Sequence, residues 1–349
     1  MSRPIAGKRI LVRSANWVGD AIMSTPVLRA LRRTLPGSHI TLLAKPWVAP
    51  VFENNQNIDE IMVYAADGAH RGIKGLFRLA ARIRREKFDT ALLLQNAFEA
   101  AFLTWLGGIP RRIGYTTDGR SLLLTDRIRT WRQLKKGHLI DYYLGLLNGS
   151  GLPAGEHRLE LPLSAAERRK ALAELARIGF APAQRVIGLN PGAAHGTAKR
   201  WPVARYAELG RRLKRRYDAR LLIFGAPQEK DLGRALAGEL GGGACSLAGR
   251  TTLREAFALI ECCRLFVTND SGLMHAAAAL STPVVAIIGP TDPSATAPVG
   301  TTSRIVRQTG TCPRFPCLLP HCPTDHGCMN AVSVDQVFDA AAELIEAAR

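Results

Sequence analysis

The chain has 349 residues, which is long for a single compact core, so two domains are expected. Its composition, 47% hydrophobic and 22% charged, is close to the average of folded globular proteins and excludes bulk disorder. Lysine and arginine outnumber aspartate and glutamate by 47 to 29, a formal charge of +18. This excess favours acidic partners such as nucleic acid, an anionic membrane or phosphorylated small molecules.

The start of the sequence and its longest apolar stretch both bear on membrane association. No apolar signal-peptide core follows Met1, so secretion is not expected and the predicted location is the cytoplasm. Residues 91–109 are the most apolar long stretch, but Gln95, Asn96 and Glu99 interrupt it, which argues against a spanning helix. Any membrane contact is therefore expected to be peripheral.

The first part of the chain alternates strand and helix patterns. Apolar residues at helical spacing, such as Val27, Leu28 and Leu31, lie between apolar runs of strand length. Four runs are predicted to be strands, at residues 9–12, 40–44, 61–64 and 90–94. This alternation is typical of a parallel α/β sheet with Rossmann-like topology.

The loop after the first predicted strand reads SANWVGDAIMSTP and contains candidate site residues. Ligands and catalytic groups of open α/β sheets gather beyond the carboxyl ends of the strands. Asp20 is therefore a candidate general base, and a helix N-cap is the alternative interpretation. Asn16 and Trp17 in the same loop are candidates for acceptor binding.

Residues 71–85 are predicted to form a helix with a stripe of cations. Arg71, Lys74 and Arg78 recur at intervals of three or four, in the more basic half of the chain, where residues 1–160 carry a formal +11. The predicted apolar face consists of Ile73, Leu76, Phe77, Ala80 and Ile83. The stripe is a candidate surface for an anionic acceptor or a lipid leaflet, and a solvated face is the alternative.

A segment rich in glycine and proline, residues 150–163, separates the first sheet pattern from a second one. The second series of strands is predicted at residues 186–189, 221–224, 265–268 and 284–288. The predicted domains are residues 1–160 and 161–333. An amphipathic helix at 334–349 is expected to cross back and pack on the first domain.

The segment VIGLNPGAAHGTAKRWP, residues 186–202, leads from an apolar strand into a loop of small residues. Gly192 and Gly196 allow backbone N–H groups to approach a ligand, and Lys199 and Arg200 add charge beside the helix that Pro202 starts. The pattern is typical of a loop that binds phosphate or diphosphate. An ordinary strand-to-helix connection with a surface Lys–Arg pair is the alternative.

A second anion site is predicted in VTNDSGLMHAAAALSTP, where a helix is expected to begin near Asn269 or Asp270. Ser271 and Gly272 lie in its first turn, and His275 projects from the same face as Ser271. Exposed N–H groups there can hold a diphosphate, and His275 can donate to it. The alternative is that Asp270 caps the helix and that His275 is a buried, hydrogen-bonded residue.

Two acidic residues have roles that the sequence leaves open. A carboxylate next to a diphosphate would repel it, so Asp270 is expected to accept hydrogen bonds from ribose or sugar hydroxyls, or to orient Lys199. Glu229, in FGAPQEKD after a predicted strand, is a candidate acceptor for a ribose hydroxyl. A solvated loop position is the alternative for Glu229.

Seven cysteines in a chain predicted to be cytoplasmic argue against a disulfide scaffold. Four of them cluster at Cys312, Cys317, Cys322 and Cys328, with four, four and five residues between them. Four thiolates can hold structural zinc or an iron–sulfur cluster, although the spacing lacks the familiar CxxC pairs, and reduced unligated thiols are the alternative. The chain also lacks GxGxxG after its first strand and lacks GxxxxGK[ST] throughout, so dinucleotide dehydrogenases and P-loop NTPases are disfavoured.

Three segments, NWVGDAIMS, NPGAAHGTAKRWP and TNDSGLMHAAAAL, resemble in order and separation the motifs of the ADP-heptose:lipopolysaccharide heptosyltransferases, glycosyltransferase family nine. QNAFEAAF and GIPRRIGY are similar as well, and the resemblance extends over nearly the whole chain. It is greatest for the type II branch, which adds the second inner-core heptose. The resemblance implies an α/β protein of the GT-B fold, with two Rossmann-like parallel-sheet domains facing a central cleft, the acceptor bound by the first domain and the nucleotide sugar by the second.

The resemblance also implies an inverting transfer that requires no metal or other cofactor for catalysis. Asp20 would take the proton from the acceptor hydroxyl, and Lys199 would neutralise the departing diphosphate. The predicted donor site consists of Gly196, Thr197, Lys199, Arg200, Glu229, Asp270, Ser271, Gly272 and His275. The predicted acceptor site consists of Asn16, Trp17, Arg71, Lys74 and Arg78.

The substrates implied are ADP-L-glycero-D-manno-heptose and phosphorylated heptosyl-Kdo-lipid A, with the protein peripheral to the inner membrane of a Gram-negative bacterium. Within the family, the alternative is a type I or later-acting heptosyltransferase. A nucleic-acid-binding protein would also account for the charge of +18, but neither an RNP-like aromatic motif nor a zinc-finger spacing occurs. No nucleic-acid partner is therefore expected.

Overall fold

The structure is a computed structural model that describes residues 7–129, 137–181, 184–194 and 196–347. The chain forms two compact units, Met1–Leu161 and Pro162–Arg349, each with its own parallel sheet. The division falls inside the segment rich in glycine and proline that the sequence singles out as a linker. The predicted phosphate-binding loop, residues 191–202, is named the anion loop. Its position 195 and the last two residues of the predicted C-terminal helix lie outside the described residues.

The first unit is a doubly wound sheet of six strands. They are β1 (Arg9–Arg13), β2 (His39–Ala44), β3 (Glu60–Val63), β4 (Thr90–Leu93), β5 (Arg111–Tyr115) and β6 (Asp126–Ile128). Every neighbouring pair is parallel, in the order β3-β2-β1-β4-β5-β6. The strand order changes direction between β1 and β4, and such a switch point is where open α/β sheets bind ligands.

The helices of the first unit follow from the periodicity of its sequence. They are α1 (Val18–Met23), α2 (Thr25–Thr34), α3 (Gly72–Arg85), α4 (Phe98–Leu106) and α5 (Leu139–Gly149). Helix α2 shows the cause most clearly, because Pro26 lies in its first turn, where a missing N–H costs nothing. Its Val27, Leu28 and Leu31, spaced to share one face, are completely buried.

The second unit repeats this architecture. Its strands are β7 (Val186–Asn190), β8 (Arg220–Ile223), β9 (Ala244–Ser246), β10 (Leu265–Asn269), β11 (Val284–Ile287) and β12 (Ser303–Val306). All pairs are parallel, in the order β12-β11-β10-β7-β8-β9, so the switch point lies between β7 and β10. The two central strands, β7 and β10, are buried along their whole length.

Eight helices in the described part of the second unit flank this sheet. They are α6 (Ala165–Arg177), α7 (Val203–Tyr217), α8 (Lys230–Leu240), α9 (Leu253–Glu261), α10 (Gly272–Ala279), α11 (Pro293–Thr296), α12 (Gly327–Asn330) and α13 (Val334–Ala347). Of all the helices in the described segments, none combines the length and apolarity needed to cross a bilayer.

The C-terminal helix corrects one expectation from the sequence. Instead of crossing back onto the first domain, α13 packs against α7 and against strands β10, β11 and β12 of its own unit. Its apolar residues Val337, Ala341 and Leu344 belong to the hydrophobic core of that unit. The amphipathic pattern predicted the helix correctly, but periodicity carries no information on which sheet face the helix covers.

Candidate functional site

In the first unit, Asp20 lies beyond the carboxyl end of β1, in the first turn of α1. The residue at the N-cap of α1 is Trp17, and its side chain forms no cap hydrogen bond, so the interpretation of Asp20 as the N-cap residue is wrong. The carboxylate instead accepts a hydrogen bond from the hydroxyl of Tyr143, with Tyr143 Oη 2.8 Å from Asp20 Oδ1. A charged group at the switch point is thus oriented by a residue more than a hundred positions away.

Tyr143 comes from α5 and is a residue that the sequence motifs do not reveal. Its side chain is buried, and burial first, then the neighbouring charge of Asp20, raise the pKa of Tyr143 well above its ordinary value. The phenol therefore stays protonated and keeps donating to the carboxylate. The hydrogen bond therefore fixes the direction of the Asp20 carboxylate.

Asn16, predicted to contact the acceptor, is held by two neighbours. Its side-chain oxygen accepts from Arg13 Nη2 at 3.0 Å, and its backbone carbonyl accepts from the indole Nε1 of Trp47 at 2.9 Å. Arg13 is completely buried, and burial lowers its pKa to about 10, which still leaves it protonated at neutral pH. Trp17, by contrast, is 54% exposed and available for contact.

A second charged cluster joins Lys45 and Tyr64, which directly follow β2 and β3, to Glu99 in the first turn of α4. Lys45 Nζ lies 3.8 Å from Glu99 Oε1 and 3.5 Å from the ring centroid of Tyr64. Burial lowers the pKa of Lys45, an effect that the charge of Glu99 opposes. No motif in the sequence marks this cluster. The positions of Lys45 and Tyr64 directly after strand ends are the signal that was present.

Arg120 holds the segment after β4 in place through hydrogen bonds. Its guanidinium is completely buried and donates to the carbonyl of Tyr115 at 3.0 Å, to Asn96 Oδ1 at 3.1 Å and to the carbonyl of Gln95. Asn96 in turn donates to the hydroxyl of Tyr142 at 2.8 Å. Gln95 and Asn96, which interrupt the apolar stretch in the sequence, are therefore held at the edge of the sheet where the site lies.

The cationic stripe lies on α3 as predicted, with Arg71 at its N-cap, and Lys74 and Arg78 are exposed with it. The predicted apolar face is partly wrong. Ile73 is 75% exposed and Phe77 is 54% exposed, whereas the buried side of the helix is formed by Gly75, Leu79, Ala80 and Ile83. Gly75 is required at the start of the helix, because a Cβ there would collide with the backbone of residue 70.

In the second unit, the anion loop between β7 and α7 brings Lys199 to Asp270. Lys199 Nζ lies 2.8 Å from Asp270 Oδ2, and the same oxygen accepts from the hydroxyl of Thr291 at 2.6 Å. Asp270 is 5% exposed and the Lys199 side chain is 21% exposed. Lys199 and Arg200 are therefore not a solvated surface pair, and Asp270 orients the Lys199 ammonium, one of the two roles the sequence left open.

Glu229, in the short 3-10 helix that follows β8, holds the same loop in place. Its carboxylate accepts from the N–H of Ala193 at 2.8 Å and from the N–H of Ala226 at 2.9 Å, and Arg200 lies 3.4 Å away. It is 7% exposed, so a solvated loop position is wrong. Gly192 is required here, because a Cβ at that position would collide with the Glu229 carboxylate. The predicted ribose contact of Glu229 stays a prediction.

The second predicted anion segment begins later than expected. Strand β10 continues through Asn269, Ser271 is the N-cap without a side-chain cap hydrogen bond, and α10 begins at Gly272. Both the expected helix start near Asn269 or Asp270 and the interpretation of Asp270 as a cap are therefore wrong. Asn269 is the last residue of β10. Its side-chain amide donates to the carbonyls of Pro191 and Gly192 and so connects the strand to the anion loop.

The hydroxyl and imidazole predicted for the donor site lie at the start of α10. Ser271 Oγ accepts from Asn190 Nδ2 at 2.9 Å, which joins the ends of β7 and β10 across the switch point. His275 is 3% exposed and lies one turn further along the helix. The structure thus brings Lys199, Asp270 and Ser271 to the same edge of the sheet, with Asn190 between the two strand ends.

Gly196 and Thr197 face the cysteine-rich segment. Gly196 has a φ of +125°, and a Cβ there would strike the carbonyl of Pro320. Thr197 Oγ1 lies 3.3 Å from His321 Nδ1, and the N–H of Ala198 donates to the carbonyl of Pro320 at 3.1 Å. The anion loop is therefore attached to the segment that contains the four clustered cysteines.

All seven cysteines are free thiols. Hydrogen bonds from Thr324 lower the pKa of Cys322, whereas burial raises the pKa of Cys328. As the side chains are placed, no three His, Cys, Asp or Glu residues in the described ranges form a ligand set for a metal ion. The predicted metal site at the four clustered cysteines stays a prediction at this point.

Each unit thus has the charged residues of its site at its topological switch point, a carboxylate in the first and a lysine-bearing anion loop in the second. Two Rossmann-like units, one with a carboxylate and the other with an anion loop at its switch point, are typical of α/β enzymes that act on anionic, nucleotide-linked substrates. The profile of glycosyltransferase family 9 (heptosyltransferase) matches residues 76–325. The chain belongs to this family, and the protein is a glycosyltransferase.

Curated relatives and solved structures agree with this assignment. Lipopolysaccharide heptosyltransferase 2 of Salmonella typhimurium is 32% identical over 311 residues, which cover 86% of this chain and 88% of the relative. The structure of Escherichia coli ADP-heptose lps heptosyltransferase II matches with a TM-score of 0.81 and 27% identity, over 97% of this chain and 99% of that one. A family 9 glycosyltransferase from Veillonella parvula matches with a TM-score of 0.87 and 26% identity, over 99% of both chains. The predicted GT-B class, with its two parallel sheets, is confirmed.

Proposed function

We propose that this protein transfers heptose from ADP-L-glycero-D-manno-heptose to the first heptose of the lipopolysaccharide inner core, on heptosyl-Kdo-lipid A. The observation that carries the proposal is the ion pair of Lys199 and Asp270 at the switch point of the second unit. It places an oriented ammonium group where such sheets bind phosphates. The names of the heptosyltransferase 2 relatives support the choice of sugar and acceptor.

The donor is proposed to bind in the second unit. An ammonium group has three N–H donors, so Lys199 can keep Asp270 and still donate to a diphosphate oxygen. The N–H of Gly196 donates to the carbonyl of Ala193 at 3.3 Å and so shapes the loop. The backbone N–H of Thr197 and the start of α10 at Ser271 are proposed as further donors. Glu229 and Arg200 hold the loop in shape, and Gly272 and His275 complete the donor site.

The acceptor is proposed to bind in the first unit, with Asn16 and Trp17 as contacts and Asp20 as the base. The acceptor oxygen forms its bond to the anomeric carbon while the bond from that carbon to the ADP phosphate breaks. The acceptor proton passes to the Asp20 carboxylate, and the bonding electron pair leaves on ADP. A single displacement of this kind inverts the anomeric configuration. Lys199 offsets the charge that develops on the leaving phosphate, so the step needs no metal ion.

The proposed acceptor is anionic and lies in a membrane, and α3 has the surface for it. Exposed Ile73 and Phe77 alternate with Arg71, Lys74 and Arg78, a combination that suits the interface of an anionic leaflet. The protein is accordingly proposed to be cytoplasmic and peripheral to the inner membrane of a Gram-negative bacterium. Ile73→Ser with Phe77→Ser should reduce sedimentation with phosphatidylglycerol vesicles, and Leu172→Ser, at a 58% exposed residue of α6, should not. Equal sedimentation of all variants would contradict this surface.

The decisive experiment uses purified protein, ADP-heptose and acceptors truncated at defined positions, without added divalent cations. We expect transfer to heptosyl-Kdo-lipid A, with inversion at the anomeric carbon by NMR, and no transfer to an acceptor that lacks the first heptose. Activity on the heptose-free acceptor would instead indicate the type I reaction. Asp20→Asn should abolish transfer and leave ADP affinity nearly unchanged, whereas turnover at the normal rate would remove Asp20 from the role of base.

A further inference from the structure

The second unit contains a cavity of about 200 Å³ that none of the proposed catalytic residues lines. It lies between the loop after β11 and the cysteine-rich segment that precedes α12. All four clustered cysteines line it, together with Gly289 and Ala198. Four thiols from one short segment thus face a single small space next to the anion loop.

Each thiol is positioned by a different contact. Cys328 belongs to the hydrophobic core of the unit, and Cys312 packs against that core. The N–H of Cys317 donates to the carbonyl of Pro290 at 3.1 Å, which ties the middle of the segment to the loop after β11. Cys322 Sγ lies 3.4 Å from Thr324 Oγ1, a contact of the kind that supports a metal thiolate.

We propose that Cys312, Cys317, Cys322 and Cys328 together bind one thiophilic metal ion, zinc or iron, as a tetrathiolate site. Four cysteines around one centre are a ligand set that both ions accept, and zinc–sulfur bonds of about 2.3 Å make such a centre compact. The four cysteines line one cavity, but no three of these thiols meet at a common point among the described residues, so metal binding requires their side chains to rotate toward the cavity centre.

The site is structural, and its position gives it a second consequence. The segment that would wrap the metal also supplies the carbonyl of Pro320 to the N–H of Ala198, and His321 to Thr197. Ala198 lines the cavity itself and is the neighbour of Lys199. A metal ion that fixes this segment therefore fixes the shape of the anion loop before the donor arrives. This consequence rests on the proposed donor site, whereas the metal site does not.

Metal content tests the site directly. The full chain, purified under reducing conditions, should contain one zinc or iron per chain by elemental analysis, and the metal found decides between the two. Cobalt replacing it should show the sulfur-to-metal charge-transfer and visible bands of a tetrahedral thiolate site. The double variant Cys317→Ser with Cys322→Ser should lose the metal, and Cys245→Ser, a free cysteine outside the cluster, should retain it. Both variant positions of the double mutant lie outside the buried core, so the unit is expected to fold, which circular dichroism verifies.

Absence of metal from the reduced chain, together with no uptake of zinc, iron or cobalt, would overturn the proposal, as would full metal content in the double variant. Calorimetry with ADP tests the coupling. ADP affinity should fall about tenfold when the metal is removed, the effect of losing about one charge-assisted hydrogen bond. Equal affinity with and without metal would overturn the coupling alone. A metal-loaded chain that does not bind ADP would contradict the proposed function and leave the metal site standing.

Discussion

The carboxylate of Asp20 is oriented by a residue that lies outside the sequence motifs. Tyr143 is buried in α5, keeps its proton and donates to Asp20 at 2.8 Å. In the second unit, Thr291 has the same relation to Asp270, at 2.6 Å. In both cases a neutral hydroxyl holds one oxygen of a carboxylate and so sets the direction of the remaining lone pairs.

The variant Tyr143→Phe tests whether Tyr143 positions the Asp20 carboxylate or only contributes to the packing of the fold. The variant retains the ring and its packing but removes the hydrogen bond to Asp20, so we expect kcat to fall about tenfold to a hundredfold. ADP affinity should stay nearly unchanged, because the lost hydrogen bond orients only the carboxylate of the first unit. Steady-state kinetics and calorimetry with ADP measure both effects. The control Tyr142→Phe, on the same helix, should reduce kcat much less, and an unchanged kcat in Tyr143→Phe would exclude a positioning role.

Lys199→Ala tests the ion pair of the anion loop. The variant should bind ADP more weakly by about tenfold to a hundredfold, because a charge-assisted hydrogen bond to phosphate is lost. It should also lower the free energy of unfolding by about 1–3 kcal/mol, because Asp270 is left as a buried carboxylate without its cation. Adding Asp270→Asn should restore stability without restoring ADP affinity, measured by thermal melting and calorimetry. Lys230→Ala, at an exposed cation of the same unit, serves as the control.

At the scale of elements, strands with long apolar runs were predictable and the others were not. β7 and β10 are wholly buried, and each begins with an apolar run that stands out in the sequence. β6, β9 and β12 are short or partly exposed strands at or near the sheet edges, where a few residues with mixed exposure produce no clear period. β5 begins with two arginines, so it contains no apolar run of strand length that the sequence pattern could predict.

The candidate site divides in the same way. Residues next to a strand end inside a motif, such as Asp20, Lys199 and Asp270, were identified because spacing alone places them at the switch point. Tyr143 and Arg120 reach the site through tertiary packing, from elements whose sequences carry no sign of it. The sequence pattern assigns Ile73 and Phe77 to the wrong face of α3, because the buried side contains Gly75, a residue that a search for apolar side chains passes over.

The beginning of α6 provides a prediction about stability and pH. Ser164 and Glu167 form a capping box, and Arg254 of α9 donates to Glu167 Oε1 at 2.6 Å, which holds the pKa of Glu167 at about 2, below its ordinary 4.5. A lowered carboxyl pKa stabilises the fold above pH 4.5, and this contribution is lost as the pH falls toward 2. Glu167→Gln should therefore lower the free energy of unfolding by about 1–2 kcal/mol at pH 7, after allowance for solvent screening.

Denaturant unfolding at several pH values checks this prediction. The difference between Glu167→Gln and the unaltered chain should shrink between pH 4.5 and 2, because protonated glutamate and glutamine carry the same charge. Glu174→Gln, a control on the same helix with a surface ion pair to Arg177, should cost less, since exposed pairs contribute about 0–1 kcal/mol. A pH-independent difference for Glu167→Gln would show that the capping geometry rather than the charge is responsible.

At the scale of the whole molecule, the same strand order occurs twice and each unit has its site at its own switch point. The first unit contributes an oriented carboxylate and exposed cations, and the second contributes the anion loop with its ammonium group. In the proposed mechanism, general-base chemistry and leaving-group stabilisation therefore belong to separate cores. Damage to one unit should leave the ligand affinity of the other largely intact, which makes ADP binding an independent control for every variant of the first unit.

The formal charge of +18 predicts how the enzyme meets its proposed acceptor. Attraction between exposed cations and a phosphorylated lipid is screened by salt, with a Debye length of about 10 Å at 0.1 M. Therefore kcat/KM for the phosphorylated acceptor should fall about tenfold between roughly 0.05 and 0.5 M salt, and a dephosphorylated acceptor should show a much smaller effect. The triple variant Arg71→Gln, Lys74→Gln, Arg78→Gln should flatten this dependence. Arg169→Gln, Lys170→Gln, Arg215→Gln, which removes as much charge from exposed positions of the second unit, should leave it unchanged. Equal flattening by both triple variants would assign the effect to net charge rather than to α3.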